Sequence, residues 1–291
     1  MKKIVIGISV VGTLLVAFLL FSAPSEDNSN KPEMVNSLQD AHGLAVDRKN
    51  SSKVYIATHT GLLVMNNDGE FQRVGTALDD YMGFSAHPSD PNTFYSSGHP
   101  SRGGNIGFQK STDGGRTWQK VSNGVAGPVD FHAMTVSQAD QNTIYGWYRG
   151  QLQRSSDEGK NWQVAPSNIA NVIVLATSPT ANNTVYAGTV NGLQLSHNQG
   201  NTWSGLNLGG VVTALAVDPT SEQELVAYSD GQGLVLSKDS GSTWKKLSSY
   251  SGGMVMHLAY DVQNPTNMYL INQNLEIHKT TDGGETWKKV R

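Results

Sequence analysis

Short apolar segments separated by polar turns recur along the chain from residue 38 to the end. The first segment of each unit is a mostly apolar run, found at residues 44–46, 84–86, 134–136, 175–177, 215–217 and 258–260. A polar turn follows each run, and then a second segment around Tyr55, Tyr95, Tyr145, Tyr186, Val226 or Tyr269. Short aromatic and β-branched runs with turns about every 8–12 residues are typical of all-β proteins. The pattern therefore predicts six units of short strands.

An eight-residue motif ends five of the six units. Its copies are residues 111–118 (STDGGRTW), 155–162 (SSDEGKNW), 196–203 (SHNQGNTW), 237–244 (SKDSGSTW) and 280–287 (TTDGGETW). Their third positions, 113, 157, 198, 239 and 282, lie 44, 41, 41 and 43 residues apart, and a shortened relative at 66–71 stands 45 residues before the first. A period of about 42 residues suits one four-stranded propeller blade. The sequence thus predicts an all-β, six-bladed β-propeller over residues 38–291.

The motif has the chemistry of a tight turn. An Asp can accept hydrogen bonds from backbone N–H groups, Gly supplies a positive φ, and Ser or Thr hydroxyls add local bonds. The Trp at the end is expected to bury its ring between sheets. We therefore expect ten motif residues to be structural: Asp113, Trp118, Asp157, Trp162, Asn198, Trp203, Asp239, Trp244, Asp282 and Trp287.

These motifs resemble the Asp-box (BNR) repeat of sialidases, sortilin-type receptors and photosystem-assembly propellers. Four further segments resemble a bacterial family of exported Asp-box propellers that is labelled glycosyl hydrolase: 42–45 (HGLA), 58–62 (THTGL), 80–84 (DYMGF) and 97–100 (SGHP). The resemblance covers about residues 38–291. It implies the propeller fold and says little about activity, because one fold hosts many functions.

The N-terminal segment has a different composition. Lys2 and Lys3 precede twenty uncharged, mostly apolar residues, 4–23, and a polar stretch, 24–37, follows. Twenty apolar residues are about enough to span a bilayer, and the apolar core of a cleavable signal peptide is usually shorter. An uncleaved membrane anchor and a cleaved signal peptide both remain open. Either interpretation places the body outside the cytoplasm, anchored in the membrane or secreted, with 24–37 as a polar linker.

Composition excludes several classes of function. The chain has no cysteine, which excludes disulfides, thiolate metal sites and cysteine nucleophiles. Its net charge is −3 and no basic tract is present, so a nucleic-acid partner is not expected. We expect a monomer without a cofactor, and no local ligand spacing predicts a metal site.

The predicted strand order determines where polar residues meet. If the first strand of each blade is innermost, the boxes join the third and fourth strands at one face, the box face. The segments entering the first strands and the loops between second and third strands then share the opposite face, the top face. Aligning the units places His42, Met82, His132, Ile173, Thr213 and Met256 at one position near the channel mouth, with Asp40, Asp80 and Asp130 two residues earlier in blades 1 to 3.

This alignment predicts a polar cluster on blades 1 to 3. Asp40, Asp80 and Asp130 are the candidate catalytic carboxylates. The candidate ligand-binding residues are His42, His59, Asp79, Tyr81, His99, Arg102, His132, Tyr148, Arg149 and Asp230. Three interpretations stay open: the carboxylates cap backbone N–H groups or pair with histidines, the cluster binds a glycan or protein, or it performs catalysis or binds a metal.

The boxes resemble those of sialidases, and exo-sialidases bind the carboxylate of the substrate with a cluster of arginines. An exo-sialidase activity is disfavoured for this chain. Of the seven arginines in this chain, only Arg102 and Arg149 are predicted on the top face. A general glycosidase needs two carboxyl groups about 5–5.5 Å apart for retention or about 6.5–9.5 Å for inversion. Pairs among Asp40, Asp80 and Asp130 are the candidates, with His42, His99 and His132 orienting substrate.

The leading hypothesis is an exported propeller whose top face binds a cell-envelope glycan or protein, and the alternative is a glycoside hydrolase. The sixth unit ends with its own fourth strand at 287–290, so we expect the ring to close by packing of blade 6 against blade 1. Residues 34–38 are the one segment that could add a strand.

Overall fold

The computed structural model describes residues 33–291, which contain 25 strands and, within that range, no helix. The predicted anchor or signal segment and most of the linker lie outside the described residues. No helix among residues 33–291 is long and apolar enough to cross a membrane.

The strands form six antiparallel sheets that follow the six sequence units. Blade 1 contains, from the channel outward, β2 (Gly43–Val46), β3 (Val54–Thr58), β4 (Gly61–Met65), β5 (Phe71–Val74) and β1 (Met34–Val35). Blade 2 contains β6 (Asp80–Ala86), β7 (Phe94–His99), β8 (Phe108–Ser111) and β9 (Gln119–Ser122). Blade 3 contains β10 (Ala133–Val136), β11 (Ile144–Tyr148), β12 (Gln151–Ser155) and β13 (Gln163–Val164).

The second half of the chain repeats this plan. Blade 4 contains β14 (Val172–Thr177), β15 (Val185–Thr189), β16 (Gly192–Ser196) and β17 (Ser204–Gly205). Blade 5 contains β18 (Val212–Val217), β19 (Leu225–Ser229), β20 (Gly233–Ser237) and β21 (Lys245–Lys246). Blade 6 contains β22 (Val255–Tyr260), β23 (Met268–Asn272), β24 (Ile277–Thr280) and β25 (Lys288–Lys289). The innermost strands contact one another in sequence, and β22 contacts β2. The predicted all-β, six-bladed propeller is confirmed.

The core is divided among the gaps between neighbouring blades. Six separate clusters of buried apolar side chains occupy the six gaps, one cluster in each. The Trp of each box packs at the edge of the cluster between its own blade and the preceding one; Trp118, for example, contacts Tyr81 at a ring separation of 4.8 Å. Blade 1 lacks this Trp, and the buried Phe71 belongs to the cluster between blades 6 and 1. Each gap between blades thus contains one aromatic side chain contributed by the repeat.

Ring closure uses side-chain packing and not an exchanged strand. All four strands of blade 6 come from its own unit. Tyr269 of β23 packs in the blade 6–blade 1 cluster and donates its hydroxyl hydrogen to the carbonyl of Ser51 (2.8 Å). Residues 34–35, at the end of the predicted linker, form a fifth strand at the rim, where Met34 pairs with Gln72 and Val35 with Phe71.

The boxes form the tight turns on which the repeat depends. In blade 2, Asp113 Oδ1 accepts hydrogen bonds from Ser111 Oγ (2.8 Å) and Thr117 N (2.9 Å), while Oδ2 accepts one from Thr117 Oγ1 (2.6 Å). The same contacts recur at Asp239 and Asp282, and at Asp157 the backbone N–H and Nδ2 of Asn161 take the place of the Thr donors. Asn198 retains the acceptor oxygen, which receives Thr202 N at 2.9 Å. These boxes join the third and fourth strands at one face of the ring, beside the loops between first and second strands, and the loops between second and third strands lie at the other face.

Candidate functional site

The top face opens onto a central cavity of about 580 Å³ lined by the innermost strands of all six blades. The six residues aligned from the sequence all line this cavity: His42, Met82, His132, Ile173, Thr213 and Met256. In blades 2, 4, 5 and 6 the pairing register shifts at this position, so Met82, Ile173, Thr213 and Met256 are skipped in the pairing between first and second strands. Such bulges re-aim a side chain. The lining is mixed, since apolar side chains alternate with His42, His132 and further polar residues, among them Arg48, His87, Gln138, Thr213 and His257.

Blade 1 contributes a compact group of one carboxylate and two imidazoles. Asp40 Oδ1 accepts a hydrogen bond from the backbone N–H of His59 (2.7 Å), which fixes the loop between β3 and β4 to the segment before β2. Oδ2 lies 3.3 Å from His59 Nδ1, and Oδ1 lies 3.6 Å from His42 Nε2. The two imidazole rings meet edge to face, with centroids 4.1 Å apart.

Blade 3 contributes a second group, centred on Asp130. Its Oδ2 lies 3.0 Å from His132 Nε2 and 3.1 Å from His99 Nε2. His99 belongs to blade 2, so this carboxylate links two blades. The Nδ1 atom of His99 lies 2.9 Å from the carbonyl of Gly104, and both nitrogens of this ring therefore have partners.

Asp80 of blade 2 stands between the two groups. Its Oδ2 lies 3.8 Å from His59 Nε2, beyond hydrogen-bonding distance. Its Oδ1 is buried and accepts no hydrogen bond from any residue in the range 33–291. The backbone here is tightly packed, because a Cβ on Gly98 (φ +146°) would lie 2.0 Å from the carbonyl oxygen of Asp80. Only glycine suits this position, which holds the adjoining pair Asp80 and His99 in register.

The pKa values of this cluster are perturbed in different directions. Burial raises the pKa of Asp80, and the carboxylates of Asp130 and Asp40 act in the same direction against the opposing effect of His59 and His99. Burial, with a smaller effect of His59, lowers the pKa of His42 to about 4, so this ring is neutral at neutral pH and its contact with Asp40 is not an ion pair. The hydrogen bond to Asp130 raises the pKa of His132.

The remaining predicted residues have separate environments. Asp79 accepts a hydrogen bond from the backbone N–H of Ser101 (3.0 Å) and anchors the loop that carries the exposed Arg102. Tyr148 is partly buried, receives Asn105 Nδ2 at 2.8 Å, and is covered by the guanidinium of Arg149 at 5.1 Å from the ring centroid. These residues surround the cluster on the loops of blades 2 and 3.

Two of the predicted ligand-binding residues lie apart from the cluster. The Tyr81 side chain is 1% exposed and packs in the core between blades 1 and 2, so it cannot contact a ligand on the top face. The alternation of β6 directs it away from the channel side. Asp230 lies on blade 5, where it accepts the backbone N–H of Val211 (2.8 Å) and fixes a local loop.

His257 is a cluster neighbour that the sequence did not reveal. It follows the bulge residue of β22, lines the central cavity, and places Nε2 2.9 Å from the carbonyl of Ala41. Burial lowers the pKa of His257, and a positive charge on His257 would lower the pKa of His42. The only sequence signal was a histidine one position away from the aligned site.

Comparisons with known proteins agree with this architecture. Residues 109–120 match the family model described as BNR/Asp-box repeat, which is the box of blade 2 with its flanks. No curated protein matches the chain.

Several solved structures have a similar fold. The GH74 xyloglucanase from Xanthomonas campestris is 15% identical, with a TM-score of 0.60 over 86% of this chain and 45% of that one. A structure of YCF48 bound to D1 peptide is 16% identical, with a TM-score of 0.55 over 89% and 84%. YCF48 from Cyanidioschyzon merolae is 14% identical, with a TM-score of 0.53 over 89% and 87%.

The chain spans about half the length of the xyloglucanase and most of the length of the two YCF48 structures. At these identities the similarity concerns the fold alone. The protein is a six-bladed β-propeller that carries BNR/Asp-box repeats.

Proposed function

We propose that this chain is an exported binding propeller whose top-face cluster on blades 1 to 3 recognises a protein partner in the cell envelope. The observation that carries the proposal is the buried Oδ1 of Asp80, which accepts no hydrogen bond from any described residue, on a carboxylate close to His59 and His99 and flanked by Asp40 and Asp130. A buried carboxylate without a hydrogen-bond donor is costly, and a donor group from a partner would satisfy it. Export is part of the proposal and rests on the apolar segment 4–23.

A protein partner suits this surface better than a glycan. Sugar recognition commonly uses an exposed aromatic ring for stacking, and the five box Trp rings pack in the gaps between blades. On the top face, Tyr81 is buried and the ring of Tyr148 is covered by Arg149. The exposed Arg102 and Arg149 offer hydrogen-bond donors to a partner's carbonyl or carboxylate groups. YCF48, which has a similar fold, was solved with a bound peptide, and this supports a peptide segment as the ligand here.

The absence of cysteine permits a direct test. A single cysteine introduced as Arg102→Cys carries an environment-sensitive fluorophore on the top face, and Lys238→Cys carries it at an exposed box-face position as the matched control. The labelled full-length chains are titrated separately with peptide and glycan fractions of solubilised envelope. We expect a saturable signal from the peptide fraction at position 102 alone, at least tenfold weaker in Asp80→Asn. A saturable response at position 238, or equal binding by Asp80→Asn, would refute the proposal; a response to the glycan fraction alone would assign the site to sugars.

A glycoside hydrolase is the second candidate, and Asp80 also favours it. A carboxyl group with a raised pKa is suited to act as a general acid. Its partner carboxylate would have to be Asp40 or Asp130, and both are engaged: Asp40 with His59, Asp130 with His99 and His132. The His59 ring also contacts both Asp40 and Asp80, where a scissile bond would need room.

The enzyme hypothesis is tested with chromogenic glycosides and with xyloglucan, the polymer named for the similar GH74 fold. The binding proposal predicts no turnover above the buffer rate. Turnover by the parent chain that disappears in Asp80→Asn, with binding of the peptide fraction absent, would replace it with the hydrolase.

A further inference from the structure

We propose that Asp40, His42 and His59 form a binding site for a divalent cation, with Zn²⁺ the best-matched ion. Each residue offers one ligand atom, and the three atoms lie within 4.8 Å of one another. Imidazole nitrogens with one carboxylate oxygen are a donor set that zinc commonly uses. The site lies on blade 1, and it does not depend on the identity of any macromolecular partner.

The distances within this group fit metal ligands better than hydrogen bonds. A hydrogen bond between nitrogen and oxygen spans about 2.7–3.2 Å. Asp40 Oδ2 lies 3.3 Å from His59 Nδ1, and Asp40 Oδ1 lies 3.6 Å from His42 Nε2, both longer. Tetrahedral zinc with bonds of about 2.0–2.2 Å holds its ligand atoms about 3.3–3.6 Å apart. Each separation falls in that interval, with one imidazole facing each oxygen of the carboxylate.

The group also contains an atom that needs a partner. His42 Nε2 is buried and forms no hydrogen bond with any described residue, although it points toward Asp40. Buried polar nitrogen atoms are satisfied in nearly all folded proteins. A cation between His42 and Asp40 would supply the missing interaction.

A supporting second layer of contacts is already in place. The backbone N–H of His59 holds Asp40 Oδ1 at 2.7 Å and so fixes the carboxylate orientation. If His59 binds the cation through Nδ1, its Nε2–H faces Asp80 Oδ2, now 3.8 Å away. Ligating histidines usually donate their second N–H to a carboxylate, which orients the ring and strengthens the ligand. This contact involves Asp80 Oδ2 and leaves the buried Oδ1 without a donor among the described residues.

The neighbouring group on blade 3 provides the contrast. His132 Nε2 forms a hydrogen bond with Asp130 Oδ2 at 3.0 Å, and His99 Nε2 lies 3.1 Å from the same oxygen. His132 Nε2 is therefore satisfied without an ion. His132 occupies in blade 3 the position that His42 occupies in blade 1, so the two histidines form a matched pair for mutation.

Three protein ligands leave one tetrahedral position open. In zinc sites of this kind water or an oxygen of a bound molecule fills that position. The cation would therefore bind an oxygen atom of a ligand, strongly and in a fixed direction, at the mouth of the central cavity.

The test uses the full-length chain in mild detergent, stripped with a chelator and titrated with Zn²⁺ by isothermal calorimetry. We expect one equivalent per chain, with affinity at least tenfold lower in His42→Gln and in His59→Gln, and unchanged in His132→Gln. Asp80→Asn is expected to weaken binding about tenfold, as loss of an orienting carboxylate does. With Co²⁺ in place of Zn²⁺, the parent should show the intense visible bands of a tetrahedral ion.

Folding of each variant is checked by its thermal midpoint without metal, and His59→Gln, at a half-exposed loop position, is the variant least able to disturb the core. No zinc binding by the parent would overturn the proposal. Equal binding by the parent and His42→Gln, or loss of binding in His132→Gln alone, would overturn it as well.

Discussion

Removing the Asp of one box should destabilise the propeller by a predictable amount. Asp113→Ala deletes three hydrogen bonds, from Ser111 Oγ (2.8 Å), Thr117 N (2.9 Å) and Thr117 Oγ1 (2.6 Å). A typical bond contributes about 0.5–1.5 kcal/mol net, and an exposed turn is at the lower end of that range. The expected loss in the free energy of unfolding is therefore about 2 kcal/mol. For a domain of this size it corresponds to a fall in Tm of about 4–8 °C.

The chain itself supplies the control for this experiment. Blade 4 has Asn198 at the same position, and its side chain keeps contacts with Ser196 Oγ (3.0 Å), Thr202 N (2.9 Å) and Thr202 Oγ1 (2.8 Å). Asp113→Asn should therefore cost less than about 0.5 kcal/mol. Urea denaturation followed by circular dichroism, together with calorimetry, measures both variants. If Asp113→Ala is as stable as the parent, or if the Asn and Ala variants lose the same amount, the carboxylate hydrogen bonds do not hold the turn.

Three further predictions concern acid stability, backbone packing and histidine titration. Hydrogen bonds from Thr residues lower the pKa of Asp282 to about 2, below its unfolded value near 3.9, so the contribution of Asp282 to the free energy of unfolding should be complete above pH 4 and decrease toward pH 2. Urea midpoints measured over that range check this, and Asp282→Asn should make the decrease less steep. A stability profile that does not change with pH in the parent would contradict the prediction. Gly98→Ala should lower the free energy of unfolding by about 3 kcal/mol, because the added Cβ would overlap the carbonyl of Asp80. Gly103→Ala, where no atom lies within 4 Å of the added Cβ, should lower it by about 1 kcal/mol or less. Equal thermal midpoints for the two variants would refute the packing argument. In an NMR titration the His132 ring should have a pKa above 6.5 that decreases in Asp130→Asn, and an unchanged value in that variant would mean that the hydrogen bond is not the cause.

The fold could be predicted from the sequence because the same turn motif recurs once in each blade. Each box needs one acceptor side chain, one glycine and one aromatic ring, and these requirements mark the blade period wherever they recur. Residues 34–38 were the one segment expected to be able to add a strand, but two residues, Met34 and Val35, carry no alternation from which its partner could be predicted, and their pairing with β5 is decided by tertiary contact. Blade 1 also shows that the gap-filling ring need not be Trp, since Phe71 lies in the corresponding gap.

The sequence predicted which residues of the candidate site lie near one another but not which of their atoms are in contact. Alignment of the repeats placed Asp40, Asp80 and Asp130 at one height, and the strand order brought the loop histidines beside them. Which oxygen faces which ring depends on side-chain torsions that a sequence pattern does not encode. The approach of Asp40, His42 and His59 to metal-ligand distances could not be predicted either, because His59 reaches the group through a hairpin.

Two residues illustrate the limit of a repeat alignment. Tyr81 neighbours Asp80 in sequence, yet alternate residues of a strand point to opposite sides, and its ring is buried between blades. His257 lies one position beyond the aligned site, and the bulge in β22 brings it against the carbonyl of Ala41. Bulges change the side on which a residue lies without leaving a mark in the hydrophobic pattern.

Hydrogen exchange tests most directly whether the top face is the binding surface. Exchange is measured by mass spectrometry on the full-length chain, alone and with the envelope peptide fraction at a saturating concentration. The proposal predicts slower exchange of backbone amides in the top-face loops, residues 58–61 and 98–107, and unchanged exchange in the boxes at 111–118 and 155–162. Protection confined to the boxes, or saturable binding without any protection of the top-face loops, would contradict it.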